Sequence, residues 1–261
     1  MKKKSHFNDL RKRIVSATIF GSIALSALSF GDLLATLFLG ICLAVLCWEI
    51  FYIFSKGSST ITLLKLLIPS CLFLVPFLNY YNFYPLIVLF ICAFLSILCY
   101  EKNVLQFFCL VYVGLSVLSF QNISLSTSPF FGFNNLLLII SIVVASDVGG
   151  YFFGKVIGGR KIYVGISPNK TWAGSIGGIL LALVVSLSIT SFFEYSFFQI
   201  SILALILAIS AQAGDFFQSW LKRQFNVKDS GVLLPGHGGI FDRLDGLLAA
   251  VLVYGGLVYA L

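Results

Sequence analysis

Charged side chains are concentrated in one short stretch of a chain that otherwise contains few of them. Only 10% of its 261 residues are Asp, Glu, Lys or Arg, against about 25% in an ordinary soluble protein. Residues 219–245 nevertheless hold seven such side chains, and they also place His237 in a Pro-Gly-His-Gly-Gly run. The seven are Lys222, Arg223, Lys228, Asp229, Asp242, Arg243 and Asp245. Because charge is costly in apolar surroundings, this concentration predicts a functional site.

Three aspartates are candidate ligands of a divalent cation. Asp215 lies in an apolar stretch, and Ser219 follows it by four residues, so both share one face of a helix. Asp242 and Asp245 are three residues apart and share a face if the segment from 239 onward is helical. Mg²⁺ prefers oxygen ligands and is usually shared between one or two carboxylates and substrate phosphates. The pattern therefore suits a magnesium site beside a phosphate-bearing substrate.

The basic and glycine-rich residues nearby suit phosphate binding. Arg binds phosphate oxygens as a fork and Lys as a point charge, and the glycines of 236–239 let backbone N–H groups approach an anion. His237 could donate a hydrogen bond to phosphate or transfer a proton. The alternatives are a loop histidine that bonds only to carbonyls and ion pairs without function, such as Asp215 with Lys222.

A second polar patch lies between residues 147 and 172. Asp147 begins it, and Gly150 and Gly154 form a G-x-x-x-G pair, a pattern that often serves helix packing instead. The run 167–171 offers two hydroxyls and an ammonium just before an apolar span, in capping position. Helix N-termini attract phosphate; a plain N-cap with an anchoring lysine is the alternative.

The elements that must position these residues are membrane-spanning helices. The chain is 59% hydrophobic, its mean hydropathy is +1.01, and several stretches of 18 or more residues carry no charge, which indicates transmembrane helices. We predict an all-α, polytopic membrane helix bundle that forms one domain over 1–261. Its nine predicted spans are 14–30, 32–54, 61–78, 83–100, 103–120, 134–157, 173–193, 198–221 and 239–260.

The basic residues predict the orientation of this bundle. All 17 Lys and Arg residues lie before the first predicted span or around every second connection. By the positive-inside rule, the N-terminus is cytoplasmic, and the connections at 155–172 and 222–242 open on the cytoplasmic face. This distribution argues against a nucleic-acid partner despite the formal net charge of +7. We expect the first span to be retained instead of cleaved as a signal peptide.

The run S-x-x-K-R-x4-K-D-x-G-x2-L-P-G-H-G-G-x2-D-R-x-D, from Ser219 to Asp245, resembles the signature of the phosphatidate cytidylyltransferases, or CDP-diacylglycerol synthases. S-P-N-K-T-W-A-G at 167–174 and D-x-G-x-Y-x-x-G-K at 147–155 are also similar to that family. The resemblance implies a Mg²⁺-dependent reaction of CTP with phosphatidic acid that gives CDP-diacylglycerol and pyrophosphate. It also implies a multi-pass protein of the inner (cytoplasmic) membrane, with a catalytic C-terminal part at 133–261 after N-terminal spans at 1–132.

The resemblance assigns roles to individual residues. It makes Asp215, Asp242 and Asp245 metal ligands and catalytic residues; Lys222, Arg223 and His237 complete the predicted catalytic set. Substrate contacts are predicted for Asp147, Ser167, Lys170, Thr171, Ser219, Lys228, Asp229, Gly238 and Arg243. A second cation and a homodimer are compatible with the resemblance, which decides neither.

Four other kinds of protein are alternatives to this prediction. A phosphate or nucleotide carrier would need polar residues through the full membrane depth, whereas here they gather on one side. A related membrane enzyme, such as a polyprenol kinase or a synthase acting on another lipid phosphate, would share much of the chemistry. The Asp-rich pattern of CDP-alcohol phosphotransferases is absent from the sequence, and a structural scaffold would leave the polar cluster unexplained.

Overall fold

The computed structural model describes residues 18, 21–24, 26, 32–55, 104–125, 133–193, 195–231, 233 and 238–260. These residues are mostly helical, as predicted. Six α-helices lie among them, with a two-stranded sheet between the third and the fourth and a 3₁₀ turn at Thr190–Phe192. In chain order the elements are α1 (Asp32–Phe54), α2 (Val104–Leu125), α3 (Phe133–Val156), β1 (Lys161–Tyr163), β2 (Ser167–Thr171), α4 (Trp172–Ser188), α5 (Phe197–Gln224) and α6 (Phe241–Ala260).

Several helices have the length and composition of membrane spans. Four of those described are long and apolar enough to cross a bilayer: Leu34–Phe54, Val104–Ser124, Asn134–Val156 and Phe197–Gln224. The 17-residue helix α4 is apolar but shorter. The protein is therefore a membrane protein by the character of its helices.

The count of nine spans stays a prediction. The predicted spans at 61–78 and 83–100, and most of the one at 14–30, lie outside the described residues. Those at 173–193 and 239–260 correspond to α4 and α6, whose passage through a membrane is likewise still predicted.

The chain divides into two units. The first comprises Met1–Val117 with Phe225–Arg243, and the second comprises Leu118–Gln224 with Leu244–Leu261. Each is therefore discontinuous in sequence, and each has its own buried core. The prediction of one membrane domain with parts at 1–132 and 133–261 is not decided by this division.

In the second unit, α3 and α4 approach so closely that only glycine fits between them. A Cβ atom at Gly174 would lie 2.6 Å from the carbonyl oxygen of Gly150, and one at Gly178 would lie 2.5 Å from that of Ser146. Backbone contact of this kind is the usual role of small residues between membrane helices. Of the G-x-x-x-G pair, Gly154 is the tighter position, because a Cβ atom there would lie 3.2 Å from Oγ1 of Thr171, whereas one at Gly150 would lie at an ordinary 3.8 Å from the carbonyl oxygen of Gly174. The packing interpretation of the pair therefore stays a prediction at Gly150, whose carbonyl receives Gly174, and Asp147 lies on the same helix beside this contact.

A short hairpin joins α3 to α4 and departs from the all-α prediction. Gly158 and Gly159 have φ values of +65° and +88°, which turn the chain at the end of α3. Strand β1 then pairs antiparallel with β2, with Lys161 opposite Thr171. Thr171 is the N-cap of α4, and its hydroxyl accepts a 3.1 Å hydrogen bond from the Gly174 N–H. The predicted capping position of this run is confirmed.

In the first unit, α1 packs its apolar residues into a core. Leu46, Ile50 and Ile53 are fully buried. The ring of Phe54 contacts that of Phe225, with ring centroids 4.3 Å apart. The predicted bounds of this span, 32–54, agree with those of α1. Glu49 is also fully buried here.

Candidate active site

Three carboxylates from three helices of the second unit lie within electrostatic range of one another. Asp147 comes from α3, Asp215 from α5 and Asp245 from α6. Asp245 interacts electrostatically with both of the others, and Asp147 also interacts with Asp215. We call these three residues the carboxylate cluster. Like charges repel, so this arrangement depends on cations or polar donors nearby.

The close packing of α5 on α6 brings two of these carboxylates together. A Cβ atom at Gly214 would lie 2.7 Å from the carbonyl oxygen of Asp245 and 2.6 Å from the Cβ of Ala249. One at Gly246 would lie 3.2 Å from the carbonyl oxygen of Ala211. Because Gly214 precedes Asp215 directly, the small residues set how closely the two acidic positions approach.

Lys170 provides the nearest observed positive charge. Its Nζ atom lies 2.5 Å from Oδ2 of Asp215, and both side chains are about a third exposed. The ammonium also lies 5.7 Å from the ring centroid of Phe216, within cation–π range. Ser219 donates a longer hydrogen bond, 3.4 Å, to Oδ1 of the same aspartate. The predicted proximity of Asp215 and Ser219 is confirmed, whereas the ion-pair partner of Asp215 is Lys170 and not the Lys222 considered from the sequence.

The hairpin presents Lys170 to the cluster. Lys170 is the penultimate residue of β2, next to the N-cap of α4. The Trp172 N–H donates to the carbonyl of Arg160 at 3.1 Å, which closes the base of the hairpin. At its turn, Nε of Arg223 donates to the carbonyl oxygen of Ile166 at 3.4 Å. Arg223, predicted to be catalytic, thus also ties the end of α5 to the hairpin.

The other predicted residues of the second unit have varied surroundings. Lys222 interacts electrostatically with Asp245, and its predicted role toward substrate phosphate stays a prediction. Ser167 lies in β2 opposite Tyr163. Thr171 is buried and its hydroxyl caps α4, so this oxygen already has a structural role.

Gln212 is a polar residue of this region that the sequence analysis did not select. Its Nε2 atom donates to Oγ of Ser146 at 3.1 Å and to the carbonyl oxygen of Ser175 at 3.0 Å. Its Oε1 atom accepts from Oγ of Ser175. The amide therefore joins α3, α4 and α5 beside the carboxylate cluster. Its position in an apolar span, three residues before Asp215, was the available signal.

Gln218, on α5 between Asp215 and Lys222 in sequence, is also buried. Neither its side-chain nitrogen nor its oxygen has a hydrogen-bond partner within the part of the chain that the structure describes. An unpaired buried amide costs free energy. We therefore expect the side chain of Gln218, which is close to the site in sequence, to lower the free energy of unfolding.

In the first unit, Asp242 holds the start of α6. Its Oδ2 atom accepts from the backbone N–H of Ser230 at 2.8 Å and from that of Gly239 at 3.0 Å. Gly238 has a φ of +87°, and a Cβ atom there would lie 2.7 Å from the same carboxylate oxygen. Gly238 is thus favoured by its backbone conformation, and the space beside it is occupied by a carboxylate of the protein itself. The predicted metal role of Asp242 stays a prediction.

Glu49 of α1 is a second acid that contacts the start of α6. It was not among the residues predicted from the sequence. It is 0% exposed. Its Oε1 atom accepts from the Ile240 N–H at 2.8 Å, and Oε2 accepts from the Phe241 N–H at 2.7 Å and from Oγ of Ser230 at 2.8 Å. No polar neighbour in sequence pointed to it. The signal was its place inside an apolar span, where a carboxylate is costly unless hydrogen-bonded.

The remaining predicted residues are placed as follows. Lys228, Asp229 and Arg243 are exposed in the first unit, and Asp229 lies close to Gly238. His237 lies outside the described residues, so its predicted role is unchanged.

The carboxylate cluster fits a magnesium ion only in a shared mode. No group of three or more His, Cys, Asp or Glu among the described residues could hold a metal ion by itself. Asp215, Asp245 and Ser219 nevertheless offer carboxylate and hydroxyl oxygens, the donors that Mg²⁺ takes. One or two carboxylates together with substrate phosphates are its usual ligands, and these residues fit that arrangement.

Comparison with known proteins places the chain in a family. The model of the cytidylyltransferase family matches residues 11–261. The chain therefore belongs to the cytidylyltransferase family, and the family resemblance of its signature is confirmed.

Individual relatives match over part of the chain. A phosphatidate cytidylyltransferase of Brucella suis biovar 1 is 44% identical over 142 residues, which are 54% of this chain and 52% of the relative. Those of Staphylococcus aureus (strain COL) and Staphylococcus saprophyticus are 40% identical over 146 residues and 38% identical over 143. Each of the latter two matches covers 54% of both chains. The chain spans about half the length of the curated relatives it matches.

Proposed function

We propose that this protein transfers the cytidylyl group of CTP to phosphatidic acid, giving CDP-diacylglycerol and pyrophosphate. The observation that carries the proposal is the carboxylate cluster with Lys170 bound to Asp215, in a membrane protein of the cytidylyltransferase family. The names of the matched relatives support the choice of phosphatidic acid as acceptor.

The reaction is an in-line displacement at phosphorus. An oxygen of the lipid phosphate attacks the α-phosphorus of CTP, and a new P–O bond forms. The bond from the α-phosphorus to the oxygen that bridges the α and β positions breaks, and pyrophosphate leaves with that electron pair. The attacking phosphate is already ionised, so no strong general base is required. Positioning and neutralisation of negative charge supply most of such catalysis.

The residues of the second unit fit these two tasks. Asp215 and Asp245, with Ser219, would hold Mg²⁺, which when bound neutralises and orients phosphate oxygens. Lys170 can bind a phosphate oxygen because its ammonium already lies at the carboxylate cluster, about a third exposed. Lys222 adds a second positive charge that acts on Asp245.

The placement in the membrane is part of the same proposal. Nine spans, a cytoplasmic N-terminus and a cytoplasmic site in the inner membrane are supported by the distribution of Lys and Arg. The exposed apolar residues of the helices, including Val144, Ile176 and Ile209, suit contact with lipid. A second cation and a homodimer remain open proposals.

The test is a turnover assay on purified, detergent-solubilised protein. It receives radiolabelled CTP, phosphatidic acid and Mg²⁺, and it is repeated with EDTA and with Asp245→Asn. We expect the wild-type protein with Mg²⁺ to give CDP-diacylglycerol and pyrophosphate in equal amounts. Both products should be lost with EDTA. They should also be lost in Asp245→Asn, because the amide cannot replace the charged ligand. Asp32→Asn makes the same chemical change outside any polar cluster in sequence, so it should keep near-wild-type turnover.

Other outcomes discriminate among the alternatives. Product in EDTA, or full activity of Asp245→Asn, would contradict the metal assignment. Product with another lipid phosphate but none with phosphatidic acid would change the acceptor. If folded protein forms no product with any lipid phosphate but moves nucleotide or phosphate across liposomes, the protein is a carrier.

A further inference from the structure

The start of α6 is enclosed by two carboxylates of the protein. Glu49 accepts hydrogen bonds from the N–H groups of Ile240 and Phe241, and Asp242 accepts them from those of Ser230 and Gly239. A helix N-terminus carries unpaired N–H groups and a partial positive charge, both of which favour an anion. Here the protein itself supplies those anions.

Glu49 also holds the chain at two places far apart in sequence. One is Ser230, whose hydroxyl donates to it, and the other is the pair Ile240 and Phe241. The residues between these places include Gly238 and the predicted catalytic His237. A single buried side chain of α1 thus fixes both ends of the signature segment 230–241, which we call the signature loop.

The glycines of the signature loop fit this arrangement. A Cβ atom at Gly239 would lie 2.4 Å from Oε2 of Glu49 and 2.1 Å from Oγ of Ser230. One at Gly231 would lie 3.2 Å from Oε1 of Glu49. Since real Cβ atoms essentially never come within 3.0 Å of other heavy atoms, any larger residue at 239 would displace the side chain of Glu49 or Ser230 from the position described.

We propose that Glu49 is a positioning residue for the cytidylyl transfer. It acts on the reaction through other residues, because it holds Ser230 at one end of the signature loop and Ile240 and Phe241 at the other. The inference rests on the proposed function for its effect on turnover, and on the structure alone for its effect on the loop. Substitution of a residue that orients metal ligands through hydrogen bonds typically changes activity by about 10–100-fold, and we expect an effect of that size for Glu49.

The test compares Glu49→Gln with Glu49→Asp in the full-length protein. Glu49→Gln keeps the size but places an N–H₂ group against N–H donors, so kcat/KM should fall about 10–100-fold. Glu49→Asp keeps the charge and both acceptor oxygens and should recover part of the loss. The matched control is Thr36→Val, which alters another buried polar residue of α1 and should leave kcat/KM unchanged.

Amide hydrogen exchange supplies a readout that does not depend on catalysis. In Glu49→Gln, peptides that cover 228–243 should exchange faster than in the wild type, whereas those within α1 and α5 should exchange at the wild-type rate. Faster exchange throughout the protein would make Glu49 a general stability residue and overturn the proposal. Wild-type kcat/KM and wild-type exchange in Glu49→Gln would overturn it as well.

The two proposals fail in different ways. If the wild-type protein makes no CDP-diacylglycerol, the proposed function fails, and exchange at 228–243 still decides whether Glu49 holds the loop. If the wild type is active and Glu49→Gln is equally active, only the positioning role fails.

Discussion

Replacement of Gly214 by Ala tests whether close packing of α5 on α6 sets the site. The added Cβ would lie 2.7 Å from the carbonyl oxygen of Asp245, whereas ordinary contact begins at 3.4 Å. The backbone at Asp245 would have to move by about 0.7 Å, the difference between these distances. Misplacement of a catalytic group by about 1 Å can cost about 100-fold in rate. We therefore expect a loss of about 10–100-fold in kcat/KM.

The effect of Gly214→Ala on stability should be much smaller. Ala is favoured over Gly inside a helix by about 1 kcal/mol, and overpacking costs about 1–3 kcal/mol. The net loss should thus lie between about 0 and 2 kcal/mol, and the protein should remain folded. The assay is initial-rate kinetics over CTP and phosphatidic acid, with thermal unfolding measured on the same detergent-solubilised sample.

Gly256→Ala is the matched control on α6. No atom of the described residues lies within 4 Å of the added Cβ at Gly256, so the change should be neutral or stabilise by about 0.5–1 kcal/mol and leave kcat/KM unaltered. A folded Gly214→Ala protein with wild-type kcat/KM would show that the packing of α5 on α6 does not set the site. The reasoning is refuted equally if Gly256→Ala loses as much activity as Gly214→Ala.

Two further substitutions test separate features of α5 and the hairpin. Lys170→Met should lower kcat/KM about 100-fold, as loss of one donor to developing charge does. Lys170→Arg should keep a measurable part of the rate. Equal rates for Lys170→Met and the wild type would show that Lys170 is not part of the site. Gln218→Leu should raise the midpoint of thermal unfolding, because an unpaired buried amide costs about 1–3 kcal/mol; a lowered midpoint would show that Gln218 has a partner in the membrane-embedded protein.

Features set by neighbouring residues were predictable from the sequence. The bounds of α1 at 32–54 follow from an uninterrupted apolar run, and the Thr171 cap follows from a hydroxyl placed just before an apolar helix. Each depends on local geometry alone, which the order of residues specifies directly.

Features that join distant parts of the chain were not predictable in the same way. Helix periodicity places Lys222 near Asp215, but the hairpin carries Lys170 there from 45 residues away, and strands of three and five residues leave little pattern to detect. Of the hydrogen-bond partners of Glu49, Ser230 is the nearest in sequence, and it is still 181 residues away. Its burial is understandable only when the donors at the start of α6 are known.

The hydrogen bonds of Glu49 set a limit on how the polypeptide could be shortened. The signature and the carboxylate cluster both lie after residue 146 in sequence. Residues 133–261 alone would therefore be the obvious choice for a minimal catalytic fragment. Such a fragment would lack α1, and the N–H groups of Ile240 and Phe241 and the hydroxyl of Ser230 would lose their acceptor. Supplying 1–132 as a second, separately expressed polypeptide would return it. The apolar N-terminal half therefore supplies a structural component of the signature, the carboxylate of Glu49.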